Sequence, residues 1–135
     1  MPDKRLILVV DDEAHILHVV SLKLRNAGYE VVTAEDGEQG LELALERRPD
    51  LIITDYQMPY VSGLELCQKL REHDTTRDIP ALMLTARGYS LAGEVLEQTN
   101  IAAVLSKPFS PREVLARVQE LIGGGAPAGE GAATP

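Results

Sequence analysis

Leu6-Ile7-Leu8-Val9-Val10-Asp11-Asp12 decides the fold: five apolar residues run straight into two carboxylates. A short run almost free of charge suits a parallel strand buried on both faces. The pattern returns three times. Leu51-Ile52-Ile53-Thr54 leads into Asp55, Ala81-Leu82-Met83-Leu84 into Thr85, and Ile101-Ala102-Ala103-Val104-Leu105-Ser106 into Lys107. As parallel strands, all four runs would deliver their polar ends to one edge of a single sheet. Outside that carboxyl edge is where open α/β folds bind ligands. Three carboxylates, a hydroxyl and an ammonium converging there make a site for a divalent cation and a phosphoryl group.

Between the runs the apolar period changes from strand-like to helical. Ile16, Val19, Val20, Leu24 and Ala27 recur at helical spacing, and Gly28 follows as a C′ stop. A strand over Tyr29–Ala34 comes next, then Asp36-Gly37-Glu38-Gln39, where Asp36 can cap a helix and Gln39 can return the bond. Pro49 ends that helix. A third unit runs from Asp50 to about Asp74 and a fourth from Ile79 to about Asn100. The fifth strand leads to Ser110-Pro111-Arg112-Glu113, an N-cap, an N1 proline and a capping-box glutamate. Five strand-helix units with right-handed crossovers place helices on both faces of a five-stranded parallel sheet. The expected domain is residues 1–122. Residues 123–135, rich in Gly, Ala and Pro, are expected to form a disordered tail.

Composition narrows the function classes. The 135 residues suffice for one domain with a real core. A formal charge of −8 leaves no basic stripe for a nucleic-acid backbone, so a protein partner is expected and direct nucleic-acid binding is not. The single cysteine, Cys67, excludes an internal disulfide and lies at helical spacing with Leu64 and Leu70, as a small core residue would. The N-terminal apolar run is too short for a membrane span or signal core. A cytoplasmic protein with no membrane contact is therefore expected. His15 and His18, three apart, lack a carboxylate or cysteine at matching spacing and read as a solvated face.

The four strand ends, Asp11-Asp12-Glu13, Asp55-Tyr56-Gln57-Met58-Pro59, Thr85-Ala86 and Lys107-Pro108-Phe109, together resemble the receiver domain of two-component response regulators. The likeness covers about Lys4 to Ile122 and is closest to the single-domain type of the chemotaxis regulators. It implies a flavodoxin-like doubly wound sandwich with strand order 2-1-3-4-5. It implies that Asp55 accepts a phosphoryl group from a histidine kinase or histidine phosphotransfer protein. Mg²⁺, with Mn²⁺ as the alternative, would be held by Asp12, Asp55 and the main-chain carbonyl of Gln57, with Asp11 acting mainly through water. Lys107 would neutralise one phosphoryl oxygen and Thr85 would donate to another, and Lys107-Pro108 would be a cis peptide. Such a protein is not an enzyme beyond its own phosphorylation and autodephosphorylation. It would signal by contact with a downstream effector protein, as a monomer or weak dimer.

The chain also departs from the family pattern. Val104 stands where the family usually carries the aromatic that swings inward on activation, and Ala102 and Ala103 replace the acidic pair used for dimerisation in winged-helix regulators. The expectation is a nearly static apolar patch at Ala102 to Val104 and a response in the helix-four loop around Arg87 to Ser90, with Gly88 as the flexible point and changes confined to residues 86 to 98. Gln57 and Arg87 occupy variable positions that tune the lifetime of the acyl phosphate. The resemblance leaves three readings to weigh: a stand-alone receiver, the receiver module of a larger regulator whose output domain follows the tail, or a pseudo-receiver that keeps the fold as a binding scaffold and no longer switches.

Overall fold

Side chains of consecutive strand residues point to opposite faces, and alternate residues of the buried central runs pack into different layers. In the computed structural model, which describes residues 5–58, 60–85 and 100–123, the strands are β1 (Leu6–Val10), β2 (Glu30–Ala34), β3 (Leu51–Asp55), β4 (Ala81–Thr85) and β5 (Ile101–Ser106). The helices are α1 (Ala14–Asn26), α2 (Gly37–Arg47), α3 (Gly63–Arg71) and α4 (Pro111–Ile122). Ile7, Val9, Leu51, Ile53, Leu82 and Leu84 pack with Leu17, Val20 and Leu24 of α1 and Val114 and Val118 of α4. Leu8, Val10 and Ile52 face the other way, onto Ala44 of α2 and Leu66 and Leu70 of α3. Cys67, Ala81, Met83 and Ile101 extend that second layer. All strand pairs are parallel in the order β2-β1-β3-β4-β5, the expected doubly wound sheet. The helical segment expected between β4 and β5, and the tail beyond Gly123, lie outside the described residues.

Local chemistry sets the element ends. Gly28, at φ 100°, follows the Ala27 cap of α1 and supplies the left-handed turn that a Cβ would resist. Ser110 and Glu113 exchange backbone bonds in the expected capping box, and a second box, Ser62 with Glu65, starts α3. Asp36 caps α2 by accepting from Gln39 N–H, but Gln39 returns its bond to the N–H of Glu35 and not to that of Asp36. Arg48 ends α2 in the left-handed region, at φ 48°, one residue before Pro49.

Two sequence expectations about β5 need correction. Its sequence is read with the strands buried on both faces, yet it is an edge strand in which only Ile101 and Leu105 are buried. Its pairing with β4 slips between Ala81 and Leu82, which pair with Ile101 and Ala103, so Ala102 is bulged out and exposed. Ala103 then packs toward the α1 and α4 layer, whereas Val104 packs beside Tyr56 and Leu64 on the other face. Ala102 to Val104 therefore do not form one surface patch. The expected response at Arg87 to Ser90 falls outside the described residues.

Candidate phosphoryl and metal site

Strand register assembles the site. Val10 pairs with Thr54, so Asp11 and Asp55 leave adjacent strands at the same level. Asp55 pairs with Leu84 and Thr85 with Ser106, which puts Thr85 and Lys107 one residue beyond. Main-chain bonds extend the ladders into the loops: Asp11 N–H to Ala34 O at 3.1 Å, Tyr56 N–H to Leu84 O at 2.7 Å, and Lys107 N–H to Thr85 O at 2.7 Å. Thus the four polar ends expected to share an edge do share it.

Asp11, Asp12 and Asp55 each offer a carboxylate oxygen, and these atoms lie within 4.8 Å of one another. Asp11 is fully buried and Asp55 is 4% exposed, while Asp12 faces solvent. The Lys107 ammonium stands 3.2 Å from Asp55 Oδ1 and 3.9 Å from Asp11 Oδ2. The Lys107-Pro108 bond is cis. Thr85 is 2% exposed, and its hydroxyl finds no hydrogen-bond partner among the described residues. Gln57 lies exposed two residues beyond Asp55. His15 and His18 are exposed on α1, away from the carboxylate cluster. Tyr60 is 96% exposed on the β3 to α3 loop, so it does not pack against the rim; Tyr89 and Arg87 fall outside the described residues.

Burial is the largest electrostatic cost here. It pushes the Asp11 carboxyl up to about 7, opposed by the Glu13 N–H bonded to it, with the Asp55 charge adding to the rise. Burial also raises Asp55, against the lowering effect of Lys107 and its hydrogen bond. Mutual repulsion of the carboxylates is the smaller contribution. Lys107 would be lowered by burial, but Asp11, Asp55 and Glu13 outweigh this and hold its ammonium above the ordinary lysine value. One cation therefore compensates several carboxylates incompletely.

The residues present fit a hard divalent cation. Asp11 Oδ2 is buried without a hydrogen-bond partner among the described residues, and three carboxylate oxygens converge on the space it borders. Oxygen donors with one or two carboxylates are the Mg²⁺ pattern. Asp12 does not cap α1: Glu13 is the N-cap, without a side-chain cap bond, and Asp11 Oδ1 accepts the Glu13 N–H at 2.9 Å.

Two contributors escaped the sequence reading. Glu13 Oε1 lies 3.2 Å from the Lys107 ammonium. Gly63, the first residue of α3, donates its N–H to Tyr56 O at 2.9 Å, and a Cβ there would meet the Asp55 carbonyl oxygen at 2.2 Å. Only glycine lets α3 approach the acceptor strand so closely. The Ser62-x-x-Glu65 pattern was a legible signal for that helix start; nothing in one sequence announces the close approach itself.

This fold and this edge of acidic, hydroxyl and ammonium groups define a doubly wound α/β module with a polar site at the carboxyl edge of its sheet. Residues 7–119 match the family described as the response regulator receiver domain, and the chain belongs to that family. It is 39% identical over 120 residues to the phosphate regulon transcriptional regulatory protein PhoB of Pseudomonas aeruginosa, covering 87% of this chain and 52% of that protein. It is 43% identical over 116 residues to the DNA-binding dual master transcriptional regulator RpaA of Synechocystis, covering 86% and 48%. The chain thus spans about half the length of these curated relatives. Among solved structures, the chemotaxis response regulator CheY4 of Vibrio cholerae superposes with TM-score 0.82 at 34% identity, covering 89% of this chain and all of that one. The receiver domain of a sensor histidine kinase from Pseudomonas aeruginosa, with a magnesium ion coordinated in its active site cleft, gives 0.79 at 30% identity, covering 90% and 100%. No helix among the described residues is long and apolar enough to cross a membrane.

Proposed function

We propose that this receiver accepts a phosphoryl group on Asp55 from a phosphohistidine donor, either a histidine kinase or a histidine phosphotransfer protein, and signals through contact with a downstream effector protein. The observation that carries the reading is the buried Asp55 carboxylate, 3.2 Å from Lys107 and within 4.8 Å of two further carboxylates. An Asp55 oxygen attacks phosphorus, the P–N bond of the donor breaks, and the electron pair leaves with the imidazole nitrogen. Lys107 neutralises charge on the phosphoryl oxygens, and the unpartnered Thr85 hydroxyl donates to one of them. Asp12, Asp55 and the Gln57 carbonyl would hold Mg²⁺, with Asp11 behind them, and the ion would supply positive charge that offsets the carboxylates and the phosphoryl group. The solved neighbour with magnesium in its cleft supports that choice of ion. The chain's own chemistry is limited to this self-phosphorylation and the hydrolysis that reverses it. A cytoplasmic site of action follows from such donors.

The receiver unit is residues 1–122, acting as a monomer or weak dimer without direct nucleic-acid contact. The full coverage of a chemotaxis regulator favours a receiver that acts by itself, while the doubled length of the transcriptional relatives favours a module with an attached output domain. Both share the same phosphoryl chemistry. Incubation with acetyl phosphate and Mg²⁺ should give one adduct that maps to the Asp55 peptide and is released by hydroxylamine, as an acyl phosphate is. A hydroxylamine-resistant adduct, or none, would refute the reading.

A further inference from the structure

Lys107 is shared among three carboxylates of unlike character. Asp55 and Asp11 are buried and belong to the phosphoryl site; Glu13, 3.2 Å from the ammonium, is 61% exposed and sits at the N-cap of α1. We propose that Glu13 is a positioning residue acting through Lys107, a brake that holds the ammonium toward the N-terminus of α1 and must release it when Asp55 is phosphorylated. The inference rests on Asp55 being the acceptor.

An ammonium carries three N–H donors, so in the resting protein it can serve Asp55 and Glu13 together. When Asp55 bonds to phosphorus, negative charge moves outward onto the phosphoryl oxygens and the ammonium must follow. The pair with Glu13 opposes that movement. Glu13 is not needed to bring Lys107 to the site. The Lys107 N–H is already fixed on Thr85 O at 2.7 Å, and Asp55 and Asp11 attract its side chain. The effect of Glu13 on phosphorylation is therefore negative, and because the residue is largely in solvent it is modest and screened by salt.

Intact-mass time courses with phosphoramidate and Mg²⁺ test this. The Asp55 oxygen bonds to phosphorus, the P–N bond breaks, and the already protonated nitrogen leaves as ammonia. Glu13→Gln should speed adduct formation about two- to fivefold, the range an exposed ion pair allows. High salt should shrink the gain, and the thermal midpoint should be unchanged. In a Lys107→Ala background, which is slower overall, Glu13→Gln should make no difference. An equal gain in both backgrounds would overturn the proposal, since Glu13 would then act on the donor and not on Lys107. A slower or unaltered Glu13→Gln variant would overturn it as well. No adduct on the unsubstituted chain would overturn the phosphoacceptor reading itself, and this inference with it.

Discussion

The two edges of the sheet treat polar groups in opposite ways. At the amino edge they are mostly tied to backbone: Asp50 accepts the Leu6 N–H at 2.8 Å, the Tyr29 hydroxyl donates to Gly123 O at 2.9 Å, and Thr76 donates to Leu70 O at 2.8 Å. At the carboxyl edge Asp11 Oδ2 and the Thr85 hydroxyl are buried without hydrogen-bond partners among the described residues, and one ammonium faces three carboxylates. The amino edge is finished largely by the chain itself, with the buried Asn100 Oδ1 as its exception. The carboxyl edge keeps buried polar atoms unpartnered, as an edge that trades stability for the proposed function would.

The largest expected effect of this contrast is on the pH dependence of stability. With Asp11 at about 7 in the metal-free fold and 3.8 as its ordinary value, the fold prefers the protonated acid. Stability is then fully present below the ordinary value and is lost as pH rises through 7, by on the order of 4 kcal/mol. Urea titrations in chelator should show this decline. Asp11→Asn should flatten it, and Mg²⁺ should reverse it by binding the folded state. Parallel pH profiles for the parent and the variant would remove the electrostatic half of the comparison.

A smaller effect is steric. Gly63→Ala places a Cβ against the Asp55 carbonyl and should cost about 1–3 kcal/mol in denaturant unfolding, with slower adduct formation because the acceptor strand end is displaced. An alanine variant with unaltered stability and rate would show that the α3 contact does not position Asp55. Smallest is Tyr29→Phe at the other edge. It strands the Gly123 carbonyl and should lower stability by about 1 kcal/mol without changing phosphorylation kinetics. A kinetic change would mean that the two edges communicate.

The parallel sheet and the converging polar ends were legible because they depend on strand periodicity alone: each apolar run ends at its polar residue, and parallel pairing brings those ends level. What escaped depends on loops. Which of Asp11 and Asp12 turns back onto the start of α1 is set by the loop's path, and it is Asp11 that accepts the Glu13 N–H. The reach of Glu13 to Lys107 spans 94 residues of chain and has no local signature. The bulge at Ala102 was invisible for a similar reason, since a register slip belongs to the pair of strands and not to either one. The buried state of Cys67, by contrast, followed from helical spacing with Leu64 and Leu70, and its thiol is pushed up to about 12 by burial.

The account turns on Asp55 as the acceptor at an edge that a divalent cation completes. Intact mass after exposure to acetyl phosphate, measured side by side on the parent chain and Asp55→Asn with and without Mg²⁺, tests this most directly. The predicted result is a single phosphoryl adduct on the parent only when Mg²⁺ is present, and none on a folded Asp55→Asn. An adduct of equal yield on Asp55→Asn, or one on the parent indifferent to Mg²⁺, would contradict it.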